Sequence, residues 1–211
     1  MSELIKSIQQ RDPAKPTYLE VVFGYNGFHA VLLHRMNNVI WNMGLHALAR
    51  CLANIGRILT GIEIHPEAQI GKNLFIDHGT GVVIGQTSVI KDNVTIYHGV
   101  TLGGVQRRNA SGPKRHPTIE SGAMIGAGAQ VLGDITVGEG AKIGANSVVT
   151  SDVPAHKTAL GIPARIIGGD EINCAYGLPS RDEMESLTST IDTLTAEIEE
   201  LKIALNIRKS A

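Results

Sequence analysis

The chain has 211 residues, which is enough for one hydrophobic core and an appendage. Its formal net charge of −1 gives no reason to expect binding to nucleic acid or to an anionic membrane. The N-terminus is polar, and no stretch approaches the roughly 18 apolar residues of a membrane span, so we expect a cytoplasmic protein. Aromatic residues make up only 4% of the chain, whereas 24 residues are glycine, which favours a narrow, tightly coiled interior.

The first part of the chain, residues 1–61, has the spacing of helices. Leu4, Ile5 and Ile8 lie three and four positions apart, and the sequence RDP at 11–13 ends this first pattern. A longer amphipathic pattern runs from Phe28 to Ile58. Its members are Val31, Leu32, Met36, Ile40, Leu45, Leu48, Leu52 and Ile55.

Residues 62–169 change to a period of six. An aliphatic residue returns at this interval, and each is followed by turn residues in which glycine or asparagine fits a tight corner. Neither a helix nor an alternating strand produces this period, so it predicts a parallel β-helix in which three short strands make one triangular coil. The aliphatic positions are Ile64, Ile70, Ile76, Ile84, Ile90, Ile96, Leu102, Ile119, Ile125, Val131, Val137, Ile143 and Val149.

Two interruptions of the repeat each contain a histidine. The interval from Ile76 to Ile84 is eight residues and contains His78. A larger insertion at 104–118 contains His116 and must leave the coil as a loop, a common location for functional residues.

His78 has acidic residues nearby, which suggests acid–base chemistry. Asp77 is adjacent, and Glu63 precedes it by somewhat less than one coil of roughly eighteen residues, so stacking brings Glu63 and His78 toward the same rim. A carboxylate on one imidazole nitrogen leaves the other free to accept an alcohol proton. The alternative is a structural histidine. We predict no metal site, because His65, His78, His98 and His116 include no close pair of the kind zinc requires.

The last part of the chain carries heptads. After a linker at 170–182, apolar residues alternate three and four apart over 183–208, which predicts a C-terminal coiled-coil helix. The seam is Met184, Leu187, Ile191, Leu194, Ile198, Leu201 and Leu205. The alternative is one amphipathic helix that lies on the body of the protein.

Residues 8–169 resemble the serine acetyltransferase family, in its short form. The resemblance is carried by RDPA, by GIEIHP, and by IDHGTG, VTLGG and RHP in this order. It implies a mainly β fold with α, a left-handed parallel β-helix after an α-helical N-terminal region. It also implies transfer of an acetyl group from acetyl-CoA to L-serine, the first step of cysteine biosynthesis, without a metal.

The resemblance assigns roles to nine residues. His78 corresponds to the general base, Glu63 to its orienting carboxylate and His116 to a second active-site histidine. At the position of Glu63, many members of the family have Asp. Asp12 and Asp77 correspond to acids that bind the serine amino group, and Arg115 to the partner of its carboxylate. The residues implied to lie along acetyl-CoA are Gly103, Ala127 and Lys142.

The resemblance also bears on assembly and partners. It implies a homotrimer with the acceptor site between subunits, and a dimer of trimers stays open because the coiled coil favours two strands. Relatives dock O-acetylserine sulfhydrylase through a terminal isoleucine, whereas this chain ends IRKSA, which does not predict this partner. Two alternatives remain: another O-acetyltransferase of this scaffold, acting on homoserine, a sugar or a xenobiotic, and a non-catalytic β-helix scaffold.

Overall fold

A computed structural model of the chain describes residues 2–105, 114–167 and 181–209. Four helices come first, fifteen short strands follow, and a long helix ends the described part. The helices are α1 (Ser2–Arg11), α2 (Tyr18–Gly24), α3 (Asn26–Asn42), α4 (His46–Thr60) and α5 (Arg181–Lys209). No described helix combines the length and the apolar character needed to cross a bilayer.

The strands form a three-sided coil. Its first face stacks β1 (Glu63–Ile64), β4 (Val83–Ile84), β7 (Thr101–Gly103), β10 (Gln130–Leu132) and β13 (Val148–Val149). Its second face stacks β2 (Gln69–Ile70), β5 (Val89–Ile90), β8 (Thr118–Ile119) and β11 (Thr136–Val137). Its third face stacks β3 (Phe75–Ile76), β6 (Thr95–Ile96), β9 (Met124–Ile125), β12 (Lys142–Ile143), β14 (Thr158–Gly161) and β15 (Ala164–Ile167).

The chain visits the three faces in turn, so each strand pairs in parallel with the strand one coil away. The predicted left-handed parallel β-helix is therefore confirmed. The sequence pattern did not indicate how the coil ends. Here β14 pairs with β15 in the antiparallel direction, and this hairpin continues the third face.

The repeated aliphatic residues form the core of the coil. Twelve of the thirteen are buried, and only Ile70 is partly accessible. Full burial of one such side chain contributes roughly 1.5–3 kcal/mol, so the stack is the main source of stability. Asn73, Asn93 and Asn146 have positive φ at the turns, as the prediction of asparagine at tight corners requires.

Arg11 attaches α1 to the coil. Its Nη1 donates to the carbonyl oxygens of Asn93 at 3.0 Å and Val94 at 3.1 Å, and its Nη2 donates to the carbonyl of Asn73. Burial lowers the pKa of Arg11 to about 10, which leaves the guanidinium charged at neutral pH. The charge therefore binds turn carbonyls of two successive coils and fixes the C-terminal end of α1 beside the coil.

The amphipathic pattern from Phe28 to Ile58 is not one helix, and in α4 it does not identify the buried face. Gly44, with φ of +83°, separates α3 from α4. Helix α4 buries its small residues Ala49 and Gly56 and leaves Leu48 and Ile55 exposed. Small residues let two helices approach closely, and this packing preference outweighs the burial of larger side chains within a single chain.

The predicted segments can be compared with these bounds. Helices α1–α4 lie within 1–61, and β1–β15 lie within 62–169. Most of the predicted linker at 170–182 lies outside the described residues, as does most of the 104–118 insertion. Helix α5 spans the predicted coiled-coil segment, whose self-association stays a prediction at this point.

His34 on α3 provides a test of how the helices are held to the coil. Its buried ring donates to the Ala68 carbonyl, its Nδ1 has no hydrogen-bond partner, and burial lowers its pKa from 6.5 to about 4. The folded protein therefore favours the neutral ring. The resulting stability is complete above about pH 6.5 and is lost as the pH falls toward 4, by at most about 3 kcal/mol.

We expect His34→Gln, which keeps a donor but does not titrate, to flatten this part of the stability profile. The free energy of unfolding, measured by urea denaturation between pH 6.5 and 4, should fall less in the variant than in the unaltered protein. His46→Gln makes the same change at an exposed position and is the control. Equal slopes for the His34 variant and the unaltered protein would contradict the role of His34.

Candidate active site

A large cavity lies at the edge of the coil where the third face turns into the first. It has a volume of about 610 Å³ and is lined by Asp12, Tyr25, Asp77, His78 and Tyr97, among others. The coil contributes residues 76–78 and Tyr97, while the segment after α1 and the junction of α2 with α3 close the cavity from outside. Helices and coil thus bring together three predicted site residues, Asp12, Asp77 and His78.

His78 occupies a turn that most side chains disfavour. Its φ is +57°, and Gly79 and Gly81 beside it also have positive φ. The imidazole side chain is 70% exposed, its Nε2 lies 4.0 Å from Asp77 Oδ1, and the His98 ring lies 6.0 Å away. The extra residues that interrupt the repeat therefore turn an imidazole outward at the mouth of the cavity.

Asp12 is held in a fixed orientation. The Tyr25 hydroxyl donates to Asp12 Oδ2 at 2.6 Å, and the Ala14 N–H donates to Asp12 Oδ1 at 2.8 Å. Burial and the Asp12 carboxylate raise the pKa of Tyr25, so the hydroxyl keeps its proton and stays a donor. Sequence reasoning missed Tyr25, because a tyrosine at a helix junction carries no periodic signal.

Asp77 is half-buried opposite Asp12. Burial is the main cause that raises its pKa, and the nearby Asp12 adds to this effect. His78 acts in the other direction, both through its ring and through its backbone N–H, which donates to the carboxylate. Two carboxylates that disfavour each other's charge in a half-buried cavity form a suitable site for an ammonium group.

His116 belongs to a different edge, where the first face turns into the second. Its Nδ1 accepts a hydrogen bond from the Thr87 N–H at 3.2 Å, so the ring proton lies on Nε2. Burial, followed by Arg115 and Lys114, lowers the pKa of His116 and favours the neutral ring. The arrangement presents a neutral Nε2–H donor in a fixed orientation.

Arg115 is connected to the coil through polar side chains. Its Nη2 donates to Gln86 Oε1 at 3.3 Å, and Gln86 Nε2 donates to Glu67 Oε2 at 2.7 Å. The Thr87 hydroxyl oxygen accepts from the backbone N–H of Arg115 at 3.0 Å. Sequence reasoning missed Gln86 and Thr87, although their turn lies one coil before the 104–118 insertion and could have been identified from the repeat.

His65 and Glu63 lie near this second group of residues. A smaller cavity of about 260 Å³ is lined by both, together with Arg50 and Arg57 of α4. Burial is the main cause that lowers the pKa of His65 to about 4, and its Nδ1 accepts from the Glu67 N–H at 3.1 Å. Glu63 is exposed and makes no hydrogen bond or ion pair with His78 within the described chain, so stacking alone does not join this predicted pair.

The three residues predicted to lie along acetyl-CoA are also divided. Ala127 lies on the same edge as His78, where the backbone stacks Thr80, His98 and Ala127 on successive coils. Lys142 begins β12 on the adjoining third face. Gly103 ends β7 at the opposite side of the first face, next to the edge that carries Arg115 and His116.

The nine predicted residues therefore form two groups in one chain. The edge between the third and first faces, with its flanking helices and third face, carries Asp12, Asp77, His78, Ala127 and Lys142. The first face and its edge with the second carry Glu63, Gly103, Arg115 and His116. Within the described ranges, no three His, Cys, Asp or Glu side chains are grouped as metal ligands.

The coil places the chain in a known class of transferases. Residues 116–151 match the model for the bacterial transferase hexapeptide, six repeats. A β-helix of this kind, with an imidazole turned outward at its edge, is typical of hexapeptide-repeat acyltransferases. The relatives described next confirm the predicted enzyme class, an acyltransferase.

Sequence and structure comparisons identify the family. The chain is 47% identical over 204 residues to the serine acetyltransferase of Bacillus pumilus, covering 96% of this chain and 92% of that one. A serine acetyltransferase from Brucella abortus, solved in complex with coenzyme A, superposes with a TM-score of 0.74 at 44% identity, over 78% of this chain and 65% of that one. The soybean serine acetyltransferase, solved in complex with serine, superposes with a TM-score of 0.73 at 45% identity, over 77% of this chain and 66% of that one. The chain belongs to the serine acetyltransferase family, as its motifs indicated.

Gly85 tests whether the position of the His116 ring matters. A Cβ on Gly85 would overlap the His116 ring, so Gly85→Ala must displace it. We expect kcat/KM for the acceptor to fall roughly 10- to 100-fold, because small displacements of substrate-binding groups are costly.

Gly56→Ala is the matched control, since its added Cβ would come no closer than 3.5 Å to another atom. Melting temperatures of both variants show whether the fold persists. Full activity in a folded Gly85→Ala protein would show that the ring position is not needed.

Proposed function

We propose that this protein transfers the acetyl group of acetyl-CoA to the hydroxyl of L-serine, at a site formed by two subunits of a homotrimer. Family membership supports the reaction. The single observation that supports the shared site is the division of the predicted residues between two edges of one coil. When three-sided coils associate about a three-fold axis, one edge of each subunit can meet the other edge of its neighbour.

His78 is the general base in this proposal. Its exposed imidazole takes the proton of the serine hydroxyl as the oxygen attacks the thioester carbonyl. The carbon–sulfur bond then breaks, and the imidazolium returns the proton to the departing CoA thiolate. The products are O-acetyl-L-serine and CoA, and no covalent acetyl-enzyme forms.

The acceptor is bound through its charged ends. Asp12 and Asp77 bind the ammonium group, which relieves the repulsion between the two carboxylates. Arg115 of the adjacent subunit binds the carboxylate, and the fixed Nε2–H of His116 donates to the acceptor in the same cleft. Two carboxylates, a guanidinium and a neutral imidazole fit an amino acid better than a sugar.

Glu63 orients His78 in this proposal. Its backbone N–H bonds to the carbonyl of Val82, one coil above, so its side chain begins beside the turn that carries His78. Both side chains are exposed in one chain, and in the proposal they come into contact when a neighbouring subunit covers them. A carboxylate on one ring nitrogen would leave the other directed at the acceptor hydroxyl.

Acetyl-CoA lies along the edge that runs from His78 past His98 to Ala127. The turns of this edge contain Gly99 and Gly128, whose positive φ forms the tight corners and where a Cβ would meet the turn of the next coil. Lys142 on the third face and Gly103 of the adjacent subunit border the same cleft.

A thiol-release assay with acetyl-CoA and different acceptors tests the substrate. We expect L-serine to be used in preference to homoserine, whose additional methylene moves the hydroxyl away from His78. A galactoside should give no release above background, because it has no charged groups for Asp12, Asp77 and Arg115. Faster release with a galactoside than with serine would assign the protein to a different acetyltransferase.

Mixed oligomers test the shared site. His78→Asn, which tolerates positive φ, and His116→Gln should each lower kcat roughly 100-fold or more when present in every chain. Refolding the two variants together in equal amounts creates interfaces that combine an intact His78 edge with an intact His116 edge. We expect random mixing to restore about a quarter of the full activity. Each site needs an intact His78 from one subunit and an intact His116 from its neighbour, and each of these is present in about half of the chains.

A mixture that stays inactive, although mass measurement shows mixed trimers, would contradict the shared site. It would leave the reaction itself untouched, since the acceptor assay tests that separately. The cytoplasmic location stays a prediction, and O-acetylserine sulfhydrylase as a partner stays open.

A further inference from the structure

His98 lies on the same edge as His78, one coil further along. The Gly99 N–H donates to the Thr80 carbonyl at 2.9 Å, and the Gly128 N–H donates to the His98 carbonyl at 2.8 Å, so the His98 turn is held between the turns before and after it. The His98 and His78 rings are nearly perpendicular, at 86°, and their centroids are 6.0 Å apart. The coil therefore presents two imidazoles side by side, and the proposed chemistry uses only one of them.

The two imidazoles border different substrates. Tyr97 is buried and lines the acceptor cavity together with Asp77 and His78. His98, the next residue, is exposed on the edge, where the proposed path of acetyl-CoA runs toward Ala127. His98 is therefore on the acyl donor side of the base.

The distance between the rings fits one reacting carbon. In acyl transfer the base lies about 2.6–3.2 Å from the attacking oxygen, and an oxyanion donor lies about 2.7–3.1 Å from the oxygen that becomes charged. Both oxygens are bonded to the same tetrahedral carbon, so the base and the donor are separated by roughly 5–7 Å. The 6.0 Å between the His78 and His98 rings is in this range.

His98 carries a hydrogen-bond donor in either protonation state. A neutral imidazole has one N–H group, and the imidazolium has two. Within the described residues, no hydrogen bond occupies the nitrogens of the His98 ring, so this donor is available to a ligand. Histidine is one of the side chains that serve in oxyanion holes, where a donor in a fixed position stabilises the charge of the transition state.

We infer that His98 is a catalytic residue, whose ring N–H donates to the carbonyl oxygen of the acetyl thioester and stabilises the negative charge that forms there. This inference rests on the proposed acetyl transfer. The serine oxygen bonds to the carbonyl carbon, the carbonyl oxygen takes the electron pair, and collapse of this intermediate breaks the carbon–sulfur bond. His98 keeps its proton throughout, so His78 still returns the serine proton to the CoA thiolate.

Two substitutions of His98 separate the donor from the ring. His98→Gln keeps an N–H donor without an aromatic ring, whereas His98→Phe keeps a ring without an N–H donor. We expect His98→Phe to lower kcat roughly 100-fold, as the loss of one oxyanion donor does, and to leave the KM values nearly unchanged. His98→Gln should stay within about tenfold of the unaltered protein. Thiol release with serine and acetyl-CoA gives these constants.

His156→Phe is the matched control, because it makes the same change at an exposed turn on another edge, and it should keep full activity. Melting temperatures show whether each variant is folded. A folded and fully active His98→Phe protein would overturn the inference, since the donor would not be needed. Equal losses in the Gln and Phe variants would also overturn it, since the imidazole itself would then be required. No thiol release by the unaltered protein would instead contradict the proposed function.

The infrared spectrum of bound acetyl-CoA tests the contact directly. A hydrogen bond to the thioester oxygen weakens the carbonyl bond, so its stretching frequency should be lower on the unaltered protein and on His98→Gln than on His98→Phe. Isotopic labelling of the carbonyl carbon separates this band from the protein amides, and omission of serine keeps the thioester intact. The same frequency on all three proteins would show that His98 does not bind this oxygen.

Discussion

One buried aliphatic side chain in every six residues holds the coil together, and the location of all other features depends on it. Because each rung turns its Ile, Val or Leu inward, as Ile84 and Ile125 do with 1 and 0% exposure, no room remains inside for polar chemistry. The flat faces are occupied by strand pairing. Reactive groups can therefore extend only outward: from the turns at the three edges, from outward-facing strand positions such as Glu63, or from segments packed outside.

This constraint explains why a single chain presents its chemistry in two parts. An edge turn can hold one or two functional side chains before the next strand begins. His78 interrupts the rhythm at one edge, and the inserted loop returns with Arg115 and His116 at another. The two edges are separated by the width of a face. Assembly is then a requirement of the proposed chemistry, because the proposal brings Arg115 and His116 to Asp12, Asp77 and His78 only where subunits adjoin.

How far the sequence predicts the structure depends on whether a residue obeys a period. The inward positions from Ile64 to Val149 follow a period of six with two interruptions, so the coil was predicted except for its closing hairpin, and His78 and His116 were conspicuous because they lie in the interruptions. Tyr25 acts through a hydrogen bond to Asp12 that no spacing reveals, whereas Thr87, which binds Arg115 and His116 through several hydrogen bonds, lies in a turn that the repeat could have identified. The period in helix α4 predicted the wrong buried face for a different reason: Ala49 and Gly56 are buried and Leu48 and Ile55 are exposed, because small residues allow close contact with α3.

The attachment of Asp12 has a consequence for how such a fold can diversify. This carboxylate comes from outside the repeat, on a segment fastened by the Arg11 guanidinium to turn carbonyls and oriented by Tyr25. His78 and the edge past Ala127 belong to the coil itself. In the proposed site, one acceptor-binding carboxylate is thus physically separate from the edge that receives the acyl donor. Changes in a short helical attachment could alter the preferred nucleophile in descendants of this chain while the coil, and the thioester chemistry along it, stayed the same.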